Sequence, residues 1–161
     1  MITISQSIQS YINAMVEDIK AAAPNSSGQL RDSIQADIVL TENSYEVNIL
    51  MKDYGEYQDK GVNGTQKNWG SPYSFKKMVP PSALDKWIVN KGIAPRNTSG
   101  QFLSRAGLKF AIARSIMIKG IKPKNFIEPN VDTKLDGLAN LTAEEIWDDF
   151  TKQQNKKDIN K

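Results

Sequence analysis

The chain has 161 residues, 24% of them charged, and it contains no cysteine and no histidine. Its length is sufficient for one domain with its own core. The two absences exclude disulfides, thiolate nucleophiles, zinc sites built from Cys or His, and every Ser-His-Asp arrangement. An enzyme of this composition would need carboxylates, lysine, tyrosine or a metal held by oxygen ligands.

The apolar residues are not arranged as in a membrane or secreted protein. The sequence has no run of about 18 apolar residues, so it predicts no membrane-spanning helix. Residues 1–20 lack the basic start and the apolar stretch of a signal peptide. We therefore expect the chain to be made in the cytoplasm and to remain there, without contact with a membrane.

Positive charge is concentrated in the middle of the chain. Residues 58–124 contain 13 Lys and Arg but only two acidic residues, a net charge of +11. The remaining residues include 8 basic and 16 acidic residues, a net charge of −8. This division predicts an oriented electrostatic surface, which could meet nucleic acid or the acidic part of a neighbouring copy.

Residues 3–23 are predicted to form an amphipathic helix, because apolar residues recur three or four positions apart. Ser5 or Ser7 lies near its start, and Pro24 ends it. The recurring apolar residues are Ile4, Ile8, Ile12, Met15 and Ile19.

A hairpin and a long loop are predicted next. Residues 34–41 and 45–52 alternate between apolar and polar side chains on either side of a short polar turn. Residues 53–81 are rich in glycine, proline and aromatic residues, which indicates a long irregular loop. Within this loop we predict a helical turn at residues 54–60 and a third strand near residues 73–79.

Three further helices are predicted: from Ser82 to Gly92, over residues 99–119, and from Thr142 onward. Ser82 and Thr142 each have an acidic residue three positions later, as in a capping box. The helix over residues 99–119 has an apolar stripe, formed by Leu103, Ala106, Phe110, Ala113 and Met117. Ile112 and Ile116 lie among the cations of another face, so the helix is apolar on more than one side and is predicted to be buried on more than one side.

The predicted fold class is α+β, with a small antiparallel sheet and with the N-terminal helix and the further helices packed against it. We predict a single domain over residues 1–152, with the long loop at residues 53–81. Residues 153–161 are polar and are predicted to be a disordered tail.

Two stretches could carry chemistry but have simpler explanations. Glu144, Glu145, Asp148 and Asp149 are spaced one helical turn apart in pairs, as in a metal site or an acid pair. A solvated acidic face near a helix N-terminus explains the same pattern, and no other catalytic group accompanies it. Residues 61–65 are glycine-rich but lack the lysine and the spacing of a phosphate-binding loop, so they are predicted to be a turn.

Cations in the middle of the chain are interleaved with aromatic residues, including Trp69, Tyr73 and Phe75. Such a mixture can neutralise phosphates and stack bases. A solvated surface or a charged contact between subunits explains it equally well. The cations considered for DNA or inter-subunit contacts are Lys67, Lys76, Lys77, Arg105, Lys109 and Lys119.

The segment GIKPKNFIEPNVD, residues 120–132, places Phe126 and Ile127 between two prolines. Residues that precede proline disfavour the α region, so the segment is predicted to be extended. Proline also lowers the entropy lost when a segment docks on a partner. The segment is therefore either an apolar arm for a neighbouring subunit or a core strand of its own domain.

Three short motifs together resemble those of the neck and tail-completion proteins of tailed bacteriophages, also called head–tail joining proteins. The first is SGQLRDSI, residues 27–34; the second is YGEY, residues 54–57, followed by Gly64-Thr65; the third is PKNFIEP, residues 123–129. Asn125 stands where the family has a second proline. The resemblance covers roughly residues 1–130.

The resemblance implies a structural virion protein with no enzymatic activity, cofactor or metal. Its subunits would form a closed ring of about six or twelve copies in the phage neck, joining the portal to the tail around the DNA channel. Contacts with a portal, adaptor or tail protein would use Tyr54, Tyr57, Trp69, Tyr73, Phe126 and Ile127. The six cations named above would face packaged DNA or a neighbouring subunit.

Two other functions are consistent with the residues. The first is a monomeric or dimeric nucleic-acid-binding protein that uses the basic residues 58–124. The second is a metal-dependent enzyme that uses Glu145 and Asp149.

Overall fold

The computed structural model describes residues 5–24, 28–41, 44–94, 96–102 and 104–159, and only the backbone of residues 153–159. Over these residues the chain forms six α-helices, one 3₁₀ helix and one two-stranded antiparallel sheet. The predicted α+β class is therefore confirmed. Internal contacts divide the chain into two compact units, and the single domain over residues 1–152 stays a prediction. We call residues 1–55 with 125–161 unit 1, and residues 56–124 unit 2.

Unit 1 begins with helix α1 (Gln6–Ala22), which confirms the first predicted helix. The Ser5 hydroxyl accepts a hydrogen bond from the Ile8 backbone N–H (3.1 Å), so Ser5 is the N-cap. The predicted apolar positions fall on the buried face, which consists of Ile8, Ile12, Met15, Val16 and Ile19. Ile4 lies outside the described residues.

Strands β1 (Gln35–Leu40) and β2 (Tyr45–Leu50) form the predicted hairpin. The Thr41 backbone N–H donates to the Ser44 carbonyl (2.9 Å) and closes the turn. Opposed apolar residues on one face of the sheet pack on the core of unit 1: Ala36 with Ile49, and Ile38 with Val47. Residues 42 and 43 of the predicted turn lie outside the described part of the chain.

The last helix, α6 (Glu128–Ile159), begins well before its predicted start at Thr142. The Thr142 hydroxyl donates to the Leu138 carbonyl (2.7 Å) inside the helix, so Thr142 does not begin a capping box. Pro129 is compatible with the first turn, where a backbone N–H has no partner within the helix. The backbone of the predicted polar tail is helical as far as Ile159, and residues 160 and 161 are not described.

The core of unit 1 combines α1, the short helix α2 (Gln29–Ser33), the start of β1, and α6. Helix α2 lies between the first predicted helix and the hairpin, where the sequence predicted no helix. Phe126 lies two residues before the start of α6 and is the largest fully buried side chain among the described residues, with 2% of its surface exposed. None of the described helices is long and apolar enough to cross a membrane.

Unit 2 contains most of helix α3 (Tyr54–Lys60), which confirms the helical turn predicted there. A 3₁₀ helix (Pro81–Leu84) leads into α4 (Asp85–Asn90), and no side chain caps α4, contrary to the predicted capping box. The predicted third strand at residues 73–79 is wrong. The described sheet has two strands, and this stretch contributes only an isolated bridge at Ser74.

Helix α5 (Arg105–Lys119) begins later than predicted, because the Ser104 hydroxyl caps it. Its predicted apolar stripe is wrong at Ala106 and Phe110, which are exposed. Leu103 lies outside the described residues. The side that packs on α4 and the 3₁₀ helix consists of Leu108, Ile112, Ala113 and Ile116. Ile112 and Ile116 are covered although cationic side chains lie near them on α5. Long cationic side chains keep their charged ends at the surface of a core, so they do not prevent this burial.

Candidate functional site

Two of the predicted contact aromatics lie together in unit 2. The rings of Tyr57 and Tyr73 have centroids 4.6 Å apart and pack edge to face. Tyr57 is 44% exposed, so this pair is accessible from solvent. Tyr54 is also exposed, but it belongs to unit 1.

Glu56 links helix α3 to the loop that carries Tyr73. Its carboxylate accepts a hydrogen bond from the Lys60 ammonium (2.8 Å) and also interacts with the Tyr73 hydroxyl. The bond from Lys60, followed by that from Tyr73, lowers the pKa of Glu56. The same carboxylate raises the pKa of Lys60 and of Tyr73. One member of the tyrosine pair therefore interacts with a charged group of α3.

We expect Glu56→Gln to reduce the loss of stability on acidification. The folded-state pKa of Glu56 is lowered, so its ionised form stabilises the fold above the ordinary value of 4.5. This stabilisation is lost as the pH falls through the folded-state pKa, and the variant lacks it at every pH. Urea denaturation at several values between about pH 3 and pH 6 measures the difference.

Glu144→Gln is the matched control, because Glu144 is an exposed carboxylate in unit 1. We expect this control to retain the pH dependence of the unsubstituted protein. Identical pH profiles for Glu56→Gln and the unsubstituted protein would show that Glu56 does not fasten this loop.

Trp69 contributes to the packing of unit 2 itself. Its indole Nε1–H donates to the Lys119 carbonyl (2.7 Å), and its backbone N–H donates to Asn63 Oδ1 (2.7 Å). The Lys67 ammonium lies 5.0 Å from the centroid of the indole ring, within cation–π range. These contacts fix the loop to the end of α5, so Trp69 is not a freely projecting side chain.

The turn at Gly64 and Thr65 crosses the end of α5 with the two backbones in contact. Backbone hydrogen bonds of 2.9 and 3.1 Å run from this turn to the last turn of α5. A Cβ added at Gly64 would overlap the Ile118 carbonyl, and one at Gly120 would overlap the Val62 carbonyl. Both positions at this crossing therefore require glycine.

Leu30 and Gly55, one residue from each of the first two motifs of the family resemblance, meet within unit 1. Leu30 and Ile34 are both buried in its core. A Cβ added at Gly55 would lie 2.7 Å from Leu30 Cδ1, so the missing side chain lets the backbone at Gly55 approach Leu30. The Ser33 hydroxyl donates to the Leu30 carbonyl (2.7 Å) and accepts from the Lys52 backbone N–H (3.1 Å). These shared residues stabilise the fold.

Phe126 and Ile127 also belong to the fold. Phe126 is buried in the same core cluster as Ile12 and Leu138, and Ile127 packs against that cluster. A side chain enclosed by its own unit cannot fill a pocket on a neighbour, so the predicted contact of Phe126 with a partner is not supported. The core alternative applies, although residues 122–127 form no strand. Flanking prolines indicate an ordered segment but do not show which surface covers it.

The predicted cations differ in their accessibility. The Lys109 ammonium lies 3.0 Å from Asp85 Oδ2 and its side chain is largely covered, so its charge is compensated locally. Lys67 is exposed, but its ammonium lies over the ring of Trp69. The other four are exposed: Lys76, Lys77, Arg105 and Lys119. Sequence reasoning omitted Arg114, which is exposed on α5 between apolar residues.

The division of charge follows the two structural units. Unit 2 contains 13 basic and three acidic residues, a net charge of +10. Unit 1 contains 8 basic and 15 acidic residues, a net charge of −7. The basic stretch identified in the sequence, residues 58–124, therefore corresponds to a separate compact unit.

The acidic residues of α6 form no metal site in the part of the chain that the structure describes. No group of three or more acidic side chains there is arranged to hold a metal ion. Glu145 accepts a hydrogen bond from the Ser5 hydroxyl, which joins α6 to the start of α1. Glu144, Glu145, Asp148 and Asp149 lie in the interior of α6, so the predicted position near a helix N-terminus is wrong.

Unit 1 has an apolar groove that sequence reasoning did not identify. It has a volume of about 630 Å³ and lies between β2, α1 and α6. Its lining includes Val47, Leu135, Ala139 and Ile146, and the side chains of Leu135 and Ile146 are 55% and 66% exposed. Apolar residues recur at helical spacing before Thr142, and this pattern could have indicated the groove. The predicted helix began only at Thr142, so these residues were not assigned to it.

Comparison with known proteins identifies no relative of this chain. No protein-family model matches it, and neither a curated protein nor a solved structure shows significant similarity. The likeness to phage neck proteins therefore depends on the three motifs alone.

Proposed function

We propose that this protein is a structural, non-enzymatic subunit of an oligomeric ring in the neck of a tailed bacteriophage. In this function it joins the portal to the tail and surrounds part of the DNA channel. The observation that carries the proposal is the opposite net charge of the two compact units, +10 and −7. Opposite charges favour a contact between different patches on neighbouring copies, and such contacts generate rings when the rotation closes.

The positions of the motif residues support the proposal. The residues that resemble the family occupy structurally constrained positions: Leu30 and Ile34 in a core, Gly55 against Leu30, and Gly64 at a backbone crossing. A family likeness based on such positions concerns the fold of the subunit, which an assembly protein must preserve. The exposed tyrosines Tyr54 and Tyr57 are the remaining candidates for contact with portal, adaptor or tail proteins.

Particle binding tests the proposal directly. Mass photometry or light scattering is performed on the purified chain alone and after mixing with portal-containing particles that lack tails. We expect uptake in about six or twelve copies per particle. Particles that already carry tails are the control, because their neck positions are occupied. A chain that ignores both kinds of particle would overturn the proposal.

A nucleic-acid-binding protein is the second candidate, favoured by the exposed cations Lys76, Lys77, Arg105 and Lys119 of unit 2. Phosphate contacts release counterions, so binding of this kind weakens steeply as salt concentration rises. DNA binding by the isolated monomer with such a salt dependence, and without particle binding, would favour this second function.

A further inference from the structure

The groove of unit 1 has a negatively charged border. Glu128, Asp132 and Asp136 are exposed and follow one another at four-residue spacing along α6. Residues four apart lie on the same side of a helix, here close to the groove-lining residues Leu135 and Ala139. None of the three acidic residues forms an ion pair with the side chains that the structure describes. The groove is therefore apolar inside with uncompensated negative charge beside it.

Helix α5 of unit 2 has an exposed face of complementary character. Phe110 is 51% exposed, and a shallow depression of about 330 Å³ joins it to Ala111 and Ile118. Arg114 and Lys119 line the same depression, and both are exposed. This face therefore combines apolar side chains with positive charge, since Arg114 lies between Phe110 and Ile118 and Lys119 lies at the helix end.

We propose that the exposed face of α5 in one copy docks in the unit 1 groove of the next copy. Phe110 and Ile118 would contact the apolar lining, and Arg114 and Lys119 would lie near Asp132 and Asp136. This inference rests on the proposed function, because it assigns the contact that joins successive subunits of the ring.

The dimensions and side chains of the two elements fit this contact. At a rise of about 1.5 Å per residue, α5 is about 22 Å long, and the α6 stretch that lines the groove, residues 131–146, is about 24 Å long. Small Ala111 allows close approach of the helix axis, as in other complexes in which a helix lies in a groove. Complementary charges at the border fix the orientation of such a helix and disfavour other partners.

Disulfide trapping tests the contact, because the chain has no cysteine of its own. Ala139→Cys and Ala111→Cys are placed in separate, differently tagged chains, since both alanines are exposed at the two proposed surfaces. The chains are mixed with oxidised glutathione, and dimers are identified by mass. Random collision of the two variants gives about half mixed dimers, whereas the proposed contact brings the cysteines within disulfide distance and raises this fraction. A mixed fraction of about half would overturn the proposal.

Ala83→Cys replaces Ala111→Cys in the matched control, because Ala83 is an exposed alanine of unit 2 outside α5. This pair is expected to give the random fraction. Asp132→Lys with Asp136→Lys should reduce the excess of mixed dimers at least about threefold, and Arg114→Glu with Lys119→Glu on the other chain should restore it. Failure of this charge exchange to restore trapping would contradict the assigned orientation.

The results separate this inference from the proposed function. Particle uptake in ring stoichiometry with a random trapping fraction would retain the ring subunit and reject this contact. An excess of mixed dimers without particle uptake would retain the contact between copies and reject the function in the phage neck.

Discussion

Phe126→Ala is expected to destabilise the protein by about 3–5 kcal/mol, the usual cost of removing a large aromatic side chain from a core. Only 2% of the Phe126 surface is exposed, and its neighbours come from α1, α2 and α6. These helices cannot collapse fully into the space left by the ring, so the substitution leaves a cavity as well as losing apolar burial. Urea denaturation measures the change, and hydrogen exchange should locate the lost protection in unit 1.

Phe102→Ala is the matched control for this prediction. Phe102 is 68% exposed and lies against the Arg96 guanidinium, 4.2 Å from its ring centroid. Replacement of an exposed side chain usually changes stability by less than about 0.5 kcal/mol. Unchanged stability of Phe126→Ala together with lost particle binding would contradict the assignment of Phe126 to the core and would restore its predicted contact with a partner.

Gly64→Ala and Gly120→Ala are each expected to lower the stability of unit 2 by about 3 kcal/mol. An added Cβ at either position overlaps the backbone of the crossing segment, which cannot move without breaking the hydrogen bonds between this turn and α5. Gly120 also has a φ of +71°, which residues with a side chain disfavour. Thermal denaturation, combined with hydrogen exchange at residues 61–66, measures the loss.

Gly70→Ala measures the loss of stability that is due to the backbone conformation alone, without steric overlap. Gly70 has a φ of +74°, close to that of Gly120, but an added Cβ there would meet no atom within 4 Å. We expect a cost of only about 1 kcal/mol, due to the left-handed conformation alone. Equal destabilisation by Gly70→Ala and Gly120→Ala would show that the backbone crossing imposes no additional constraint.

Local periodicity in the sequence was sufficient to predict α1 and the hairpin. The isoleucines of α1 recur at helical spacing and Ser5 caps the first turn, so burial and local hydrogen bonding favour the same structure. The alternation in β1 and β2 likewise agrees with a sheet that has one face on the core. The separation of positive from negative charge was also visible in the sequence. The compact unit that carries the positive charge was not.

Other features depended on contacts between residues distant in the sequence. Pro129 is compatible with a loop or with the first turn of a helix, so the sequence alone did not locate the start of α6. Helix α5 has apolar residues on more than one side, and only its packing on α4 decided that Ile112 is covered while Phe110 is exposed.

The sequence by itself determined the α+β class, the first helix, the hairpin and the division of charge, because each depends on neighbouring residues or on composition. Tertiary structure alone decided the two units, the burial of Phe126, the glycine crossing and the apolar groove. Each of these depends on which surfaces cover one another, and burial between distant segments leaves no local periodicity in the sequence.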